Sequence, residues 1–263
     1  MATSSVDWEL REAGPVDAEH TVLLLAGGLC SAGSYAEVMA VPALAETRLV
    51  AATLPGHAGA PPPDDYSVEN YARLTAELAT KVGADVVLGF SMGGSVALEM
   101  VASGAFAGPT VLLGISLSAK DEPAFFRAIV GLGSVLGGLP SAMLAKGAAS
   151  MVKRLPVSDE RRDELRADFR RNVGQHTRLG LREYVRWLHR HEHPAERLCQ
   201  AGVPTWIVHA EKGDGGLTDD ERHTLEAYPH AHLVTIPGAV FFLPNEVPER
   251  IADVILDAVG HAG

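Results

Sequence analysis

One serine stands where a strand-like run of the sequence meets a helix-like run. In ADVVLGFSMGGSVALEM (84–100), apolar residues lead into Ser91, and a helical pattern follows from Met92. Gly89 and Gly93 lie two residues on either side of the serine, which gives the pattern G-x-S-x-G. A strand-to-helix turn of this kind is so tight that side chains at the flanking positions would collide, and it exposes the serine hydroxyl at the edge of a sheet. The spacing therefore predicts that Ser91 is a nucleophile.

The backbone beside this serine supplies a second part of the predicted chemistry. Met92 opens the helix, so its N–H points toward negative charge that develops on a carbonyl oxygen bound at Ser91. This combination suits acyl transfer. A serine hydroxyl is a poor nucleophile at neutral pH unless a neighbouring base takes its proton. The rest of the chain must therefore provide a base and a group that orients it.

The elements that would hold these groups alternate between short apolar runs and helical patterns. Near-continuous apolar strands are typical of a parallel sheet that helices cover on both faces. The predicted strands are 8–12, 21–26, 48–53, 85–90, 110–116, 205–210 and 232–237. The predicted helices among them are 67–82, 92–103, 218–227 and 247–259. We therefore expect an α/β fold with a mostly parallel sheet flanked by helices.

The alternation breaks between residues 118 and 200, where no strand-like run occurs. Helical patterns appear there instead, at 158–172 and 180–191. This change predicts an all-helical cap over residues 118–200, inserted into a core formed by residues 1–117 and 201–263.

Four further segments carry a resemblance to a known family. LLLAGGLCSAGSY (23–35) and LPGHAGA (54–60) resemble loops that follow two early strands of the α/β-hydrolase family. IVHAEKGDGG (207–216) is similar to the strand end that bears the catalytic acid, and PGAVFFLPNEVPE (237–249) to the segment that bears the catalytic histidine. With the G-x-S-x-G turn, the chain resembles a capped α/β-hydrolase over nearly its whole length.

The resemblance implies roles for individual residues. Ser91 would be the nucleophile, and the N–H groups of Met92 and Gly28 would form the oxyanion hole, with Leu29 as the neighbouring alternative for the second donor. Asp214 would be the acid. Asp219 and Asp220 remain alternatives, because the loop EKGDGGLTDD is longer than the common form.

The sequence departs from the family at the catalytic histidine. Aligning PGAVFF with the family places Phe241 at that position, and a phenyl ring neither accepts nor donates the proton of the serine. Ala26 also stands where a histidine is common in the loop after the strand. Two of the 11 histidines, His57 and His209, are candidates for a substitute base.

Apolar residues near the expected site suggest a substrate pocket under a lid. The segment 128–145 has no charged residue, four glycines and a proline, which favours a flexible lid over a membrane span. The candidate pocket residues are Leu29, Phe125, Phe126, Val240 and Phe242.

Composition limits the classes of partner. The net charge of −11 argues against nucleic acid as the main partner. No signal peptide precedes the first strand, and the two cysteines fit a reducing compartment, so we expect a cytoplasmic protein that does not insert into membranes. The histidines of HRHEHP (189–194) lack metal-site spacing, and we expect neither a metal nor another cofactor.

The resemblance thus implies a serine-hydrolase-like enzyme that acts on a small carboxylic ester, thioester or lactone, with a triad that lacks its histidine. The alternative is a non-hydrolytic enzyme of the same fold, or a ligand-binding pseudoenzyme that uses the capped apolar pocket.

Overall fold

Seven strands form one sheet in the computed structural model, which describes residues 6–121, 146–147, 149–191, 193–213 and 216–262. The strand order is β1-β3-β2-β4-β5-β6-β7; only β1 is antiparallel to its neighbour. The strands are β1 Leu10–Ala13, β2 Thr21–Leu25, β3 Arg48–Ala52, β4 Val86–Phe90, β5 Thr110–Leu113, β6 Thr205–Ala210 and β7 Ala231–Ile236. The α/β fold with a mostly parallel sheet is confirmed.

Continuous runs of apolar residues explain why β2 and β4 lie in the interior of the sheet. Every residue of β2 and β4 is buried. Successive residues of β2 enter different hydrophobic clusters, since Val22 and Leu24 belong to one cluster and Leu23 and Leu25 to the other. Side chains alternate across a strand, so the sheet has a packed core on each face.

Helices flank the sheet and fill the region between β5 and β6. The longer ones are α2 Val68–Val82, α3 Met92–Ala102, α4 Asp159–Arg171, α5 Gly174–Arg190, α6 Pro194–Ala201, α7 Asp219–Glu226 and α9 Pro248–Val259. The short ones are α1 Ala36–Met39 and α8 Leu243–Glu246, with 3₁₀ turns at Ala32–Tyr35 and Pro42–Leu44. Ser67 caps α2, because its Oγ accepts a hydrogen bond from the N–H of Asn70 at 3.2 Å.

Two element boundaries differ by three residues or more from those expected. β5 ends at Leu113 rather than near residue 116, because Gly114 turns the chain with φ of 54°. α5 begins at Gly174 rather than at residue 180. Its first turns are held by tertiary contacts, since Thr177 is buried and the ring of His176 stacks on that of Tyr66.

The described residues between β5 and β6 form helices and turns and include no strand. This composition agrees with a helical cap, while the boundaries 118–200 and 1–117 with 201–263 stay predictions. Phe125, Phe126 and the segment 128–145 lie outside the described residues. None of the helices that the structure describes combines the length and apolar character needed to cross a bilayer.

The register of the parallel strands brings several loops to one edge of the sheet. Leu25 at the end of β2 pairs with Ala52 in β3 and with Gly89 in β4. Phe90 in turn pairs with Leu113 at the end of β5. The loops after β2 and β3 and the turn at Ser91 therefore leave the sheet side by side at its carboxyl edge.

Candidate active site

The turn between β4 and α3 holds the backbone of Ser91 in a conformation that residues other than glycine rarely adopt. Its φ and ψ are 51° and −117°, and its N–H donates to the carbonyl oxygen of Leu113 at 2.8 Å. A Cβ at Gly89 would lie 2.2 Å from the carbonyl oxygen of Gly93, and a Cβ at Gly93 would lie 2.5 Å from that of Leu25. Both positions therefore require glycine, and the backbone has the strained geometry that is expected at a nucleophile turn.

Two backbone N–H groups near Ser91 are available to an incoming oxygen. Met92 is the first residue of α3, and a Cβ at Gly28 would lie 3.5 Å from the Met92 Sδ, so the two segments are in contact. Within the part of the chain that the structure describes, neither N–H donates a hydrogen bond. The pair can thus serve as the oxyanion donors that the sequence predicted.

The N–H of Leu29 is not available in the same way. Leu29 has φ of 70°, and its N–H donates to Nδ1 of His57 at 3.0 Å. This hydrogen bond contradicts the alternative in which Leu29 supplies the second donor, so Gly28 remains the candidate.

His57 is oriented as a support for this loop rather than as a base. Because Nδ1 accepts the hydrogen bond from Leu29, the ring proton of the neutral imidazole must lie on Nε2. The residue is only 4% exposed; burial lowers its pKa to about 4, and the neighbouring His176 adds to the shift. With no lone pair free to accept a proton, His57 does not fit the substitute-base hypothesis.

The second histidine candidate lies in the sheet. His209 is in β6, pairs with Thr235 of β7 and is 6% exposed. A catalytic role for His209 stays a hypothesis.

The expected acid loop contacts the segment at the histidine position. Lys212 N–H donates to the carbonyl oxygen of Ala239 at 3.1 Å, and a Cβ at Gly213 would lie 2.1 Å from the carbonyl oxygen of Val240. Asp214 itself lies outside the described residues, so its role stays a prediction. The alternatives Asp219 and Asp220 are exposed in the first turn of α7.

Glu246 holds the loop of Phe241, the residue that the sequence predicts at the position of the histidine. Its carboxylate accepts hydrogen bonds from the N–H groups of Val240, Phe241 and Phe242 at 2.7, 2.9 and 2.7 Å. The Phe241 ring packs edge-on against that of Phe90, with centroids 5.4 Å apart. Since Phe90 directly precedes Ser91, this contact places the phenyl ring beside the end of the strand that bears the serine.

The candidate pocket residues fall into different environments. Phe242 is 5% exposed and contacts the rings of Phe90 and Phe169, so it is mainly a core residue. Val240 is 44% exposed. Both line a cavity of about 720 Å³ between residues 147–156 and 237–247. Leu29 is not among the residues that line this cavity.

The sequence did not predict two residues that form hydrogen bonds to the loops of the candidate site. Glu246 binds the loop of Phe241, and Asn172 at the end of α4 bonds to the loops after β2 and β3. Position 246 could have been noticed as the one acidic residue in PGAVFFLPNEVP, whereas nothing in the sequence marks Asn172. In the described ranges, no group of three or more metal-binding side chains comes together.

Comparisons with known proteins agree on the fold. The chain resembles a thermophilic esterase from Thermogutta terrifontis with 19% identity and a TM-score of 0.73, over 97% of this chain and 93% of that chain. It also resembles wild-type Cfl2 from Burkholderia cenocepacia, with 24% identity and a TM-score of 0.74, over 97% and 92% of the chains. A third similar structure is the N-acyl homoserine lactonase AidH, at 18% identity and a TM-score of 0.73, over 98% of this chain and 94% of that chain.

No curated protein matches the sequence significantly. The family model described as "Alpha/beta hydrolase family" matches residues 22–254, which include the turn at Ser91, both adjacent loops and the segment of Phe241. The chain therefore belongs to the alpha/beta hydrolase family.

Proposed function

We propose that this protein is a serine-dependent hydrolase of small carboxylic esters, thioesters or lactones that works slowly because its triad lacks the histidine. Similar structures include an esterase and an N-acyl homoserine lactonase, which supports ester-type substrates. Ser91 would attack the carbonyl carbon, and the N–H groups of Met92 and Gly28 would stabilise the resulting oxyanion.

The observation that carries this proposal is the strained backbone at Ser91, with φ of 51°, beside two N–H groups without an acceptor among the described residues. A non-glycine residue in this conformation costs on the order of 1–3 kcal/mol, so it persists where the surroundings enforce it. Here the close approaches at Gly89 and Gly93 enforce it. A chain that had lost all use for Ser91 would gain stability by relaxing this turn.

Phe241 explains why turnover should be slow. Without an imidazole the serine keeps its proton until water or a substrate group removes it. Enzymes that lose a triad member retain about 10³–10⁴-fold acceleration over the uncatalysed reaction, which oxyanion donors and substrate binding provide. We expect this protein to work in that range.

The test is the hydrolysis of p-nitrophenyl acetate and butyrate by the purified protein and by Ser91→Ala. We expect a low rate above background and transient acylation at Ser91 that mass spectrometry detects. In Ser91→Ala the acylation should be lost and the rate should fall to what the oxyanion donors and substrate binding alone provide. Ser103→Ala is a matched control, because Ser103 lies at the opposite end of α3. Equal rates for the protein and Ser91→Ala, with no acylation at Ser91, would show that Ser91 is not a nucleophile.

A second candidate function is binding of a small apolar ligand without turnover. It is favoured by the aromatic packing of Phe241 on Phe90 and Phe242 and by the cavity that Val240 and Phe242 line. Such a protein would hydrolyse neither ester, and Ser91→Ala would leave its ligand affinity unchanged.

A further inference from the structure

Helix α4 of the predicted cap contacts the loop of the proposed oxyanion donor along one helical face. This face carries Arg161, Asp168 and Asn172. Asp168 follows Arg161 by seven residues and Asn172 follows Asp168 by four, and such spacings place side chains on the same side of a helix. Arg161 donates to the carbonyl oxygen of Gly33 and to the Glu37 carboxylate at 2.6 Å. Asp168 accepts a hydrogen bond from the Ser31 hydroxyl at 2.5 Å.

Asn172 makes the contacts closest to the proposed hole. Its Nδ2 donates to the carbonyl oxygen of Leu29 at 2.9 Å, and its Oδ1 accepts from the N–H of Ala58 at 2.9 Å. One amide side chain therefore joins the loop after β2 to the loop after β3.

Both residues that Asn172 holds are strained. In the described part of the chain, the non-glycine residues with positive φ are Leu29 at 70°, Ala58 at 46° and Ser91 at 51°. A leucine or alanine in this region is unfavourable unless its surroundings hold it there. At Leu29, His57 binds the N–H and Asn172 binds the carbonyl oxygen, so both polar groups of this backbone unit are fixed by side chains.

We infer that Asn172 is a positioning residue of the oxyanion hole: by holding Leu29 in its left-handed conformation, it keeps the N–H of the adjacent Gly28 directed toward a substrate oxygen. Asn172, which directly follows helix α4 of the predicted cap, thereby completes the proposed oxyanion hole. The inference rests on the proposed function for its catalytic consequence, whereas the clamp on Leu29 and Ala58 can be measured without turnover.

Two variants separate the hydrogen bonds that Asn172 makes to the two loops; its Nδ2 also donates to the carbonyl oxygen of Asp168 in α4 at 2.8 Å. Asn172→Ala removes both hydrogen bonds to the loops as well as the one to α4. Asn172→Asp keeps an oxygen for the Ala58 N–H but loses the donor to the Leu29 carbonyl oxygen. Arg170→Ala is the control, because Arg170 is exposed on the same helix.

Amide hydrogen exchange, resolved by NMR, tests the clamp. We expect exchange at Leu29 and Ala58 to become at least about tenfold faster in Asn172→Ala, with α3 unchanged. In Asn172→Asp, only Leu29 should change. Unchanged exchange at Leu29 in both folded variants would overturn the inference.

Ester hydrolysis tests the catalytic consequence. We expect kcat to fall by about 10–100-fold in both variants with KM within about twofold, because a misplaced donor weakens binding of the transition state and leaves substrate binding largely intact. An unchanged kcat in an active protein would overturn the positioning role. If the parent protein has no Ser91-dependent activity, the proposed function fails, and faster exchange at Leu29 still supports the clamp.

Discussion

His57 shows how one buried side chain links the site to the stability of the fold. It is neutral in the folded protein because burial and the nearby His176 lower its pKa to about 4, whereas an exposed histidine in the unfolded chain titrates near 6.5. The unfolded state therefore binds more protons between these values. The contribution of His57 is fully present above about pH 6.5 and is lost as the pH falls through about 4.

We expect His57→Gln to be less sensitive to acid than the parent protein. The glutamine oxygen can accept the Leu29 N–H but does not titrate. The difference in the free energy of unfolding between the two proteins should change by on the order of 2–3 kcal/mol between pH 7 and pH 4. Urea unfolding at several pH values measures it, and parallel profiles would contradict the buried neutral histidine.

The parent protein must be compared with His57→Gln, because another residue changes the free energy of unfolding with pH in the opposite direction. Burial raises the pKa of Asp121 to about 7, and the nearby Glu221 carboxylate adds to the shift. The contribution of Asp121 is fully present below the ordinary carboxyl pKa and is lost as the pH rises toward 7. In the parent protein, the two effects partly cancel over the same range.

Among single residues, the sequence predicted those whose conformation is constrained by residues nearby in the chain. The two glycines around Ser91 follow from a turn that spans five residues. The Leu29 N–H could not be assigned in the same way, because its acceptor is 28 residues away at His57. Asn172 lies farther still from both loops that it joins, and an asparagine at the end of a helix carries no sign of its partners.

Among the elements, the turn from β4 into α3 imposes the strictest steric demands. Gly93 lies against the carbonyl oxygens of Leu25 and Ala26, at 2.5 and 2.7 Å from a Cβ built there. These are backbone atoms of the central strand and its loop, which cannot move without disturbing the sheet.

We expect Gly93→Ala to destabilise the protein by about 3 kcal/mol or more, or to prevent folding. Gly83→Ala is the matched control. Gly83 ends α2 with φ of 68°, and nothing lies within 4 Å of its added Cβ, so a side chain there meets only the backbone strain of about 1 kcal/mol. Thermal and urea unfolding compare them. Equal losses would show that the turn tolerates a side chain.

Element types were predictable where periodicity was strong, and boundaries failed where tertiary contacts decided them. α4 begins and ends as the pattern 158–172 indicates, because Ser158 caps it and its apolar Leu165 and Phe169 are buried. α5 begins earlier than its pattern suggests, since His176 and Thr177 are held by packing that local sequence does not reveal.

In the whole molecule, the helices between β5 and β6 are anchored to the core at separate places. Glu99 of α3 accepts hydrogen bonds from Trp187 of α5 at 2.9 Å and from Arg197 of α6 at 3.0 Å. α4 is anchored through Asn172 to the loops after β2 and β3. The fold therefore holds the turn at Ser91 and the loop after β2 in place, and we predict that Phe241 is the departure that distinguishes this chain from its family.

The most direct measurement is a double-mutant cycle on the hydrolysis of p-nitrophenyl butyrate by the parent protein, Ser91→Ala, Phe241→His and the double variant. We expect Phe241→His to raise kcat/KM by at least about 100-fold, because it supplies the missing base beside Ser91. Ser91→Ala should abolish that gain in the double variant. A folded Phe241→His protein without a gain, or a gain that survives Ser91→Ala, would contradict an intact serine turn that lacks only its histidine.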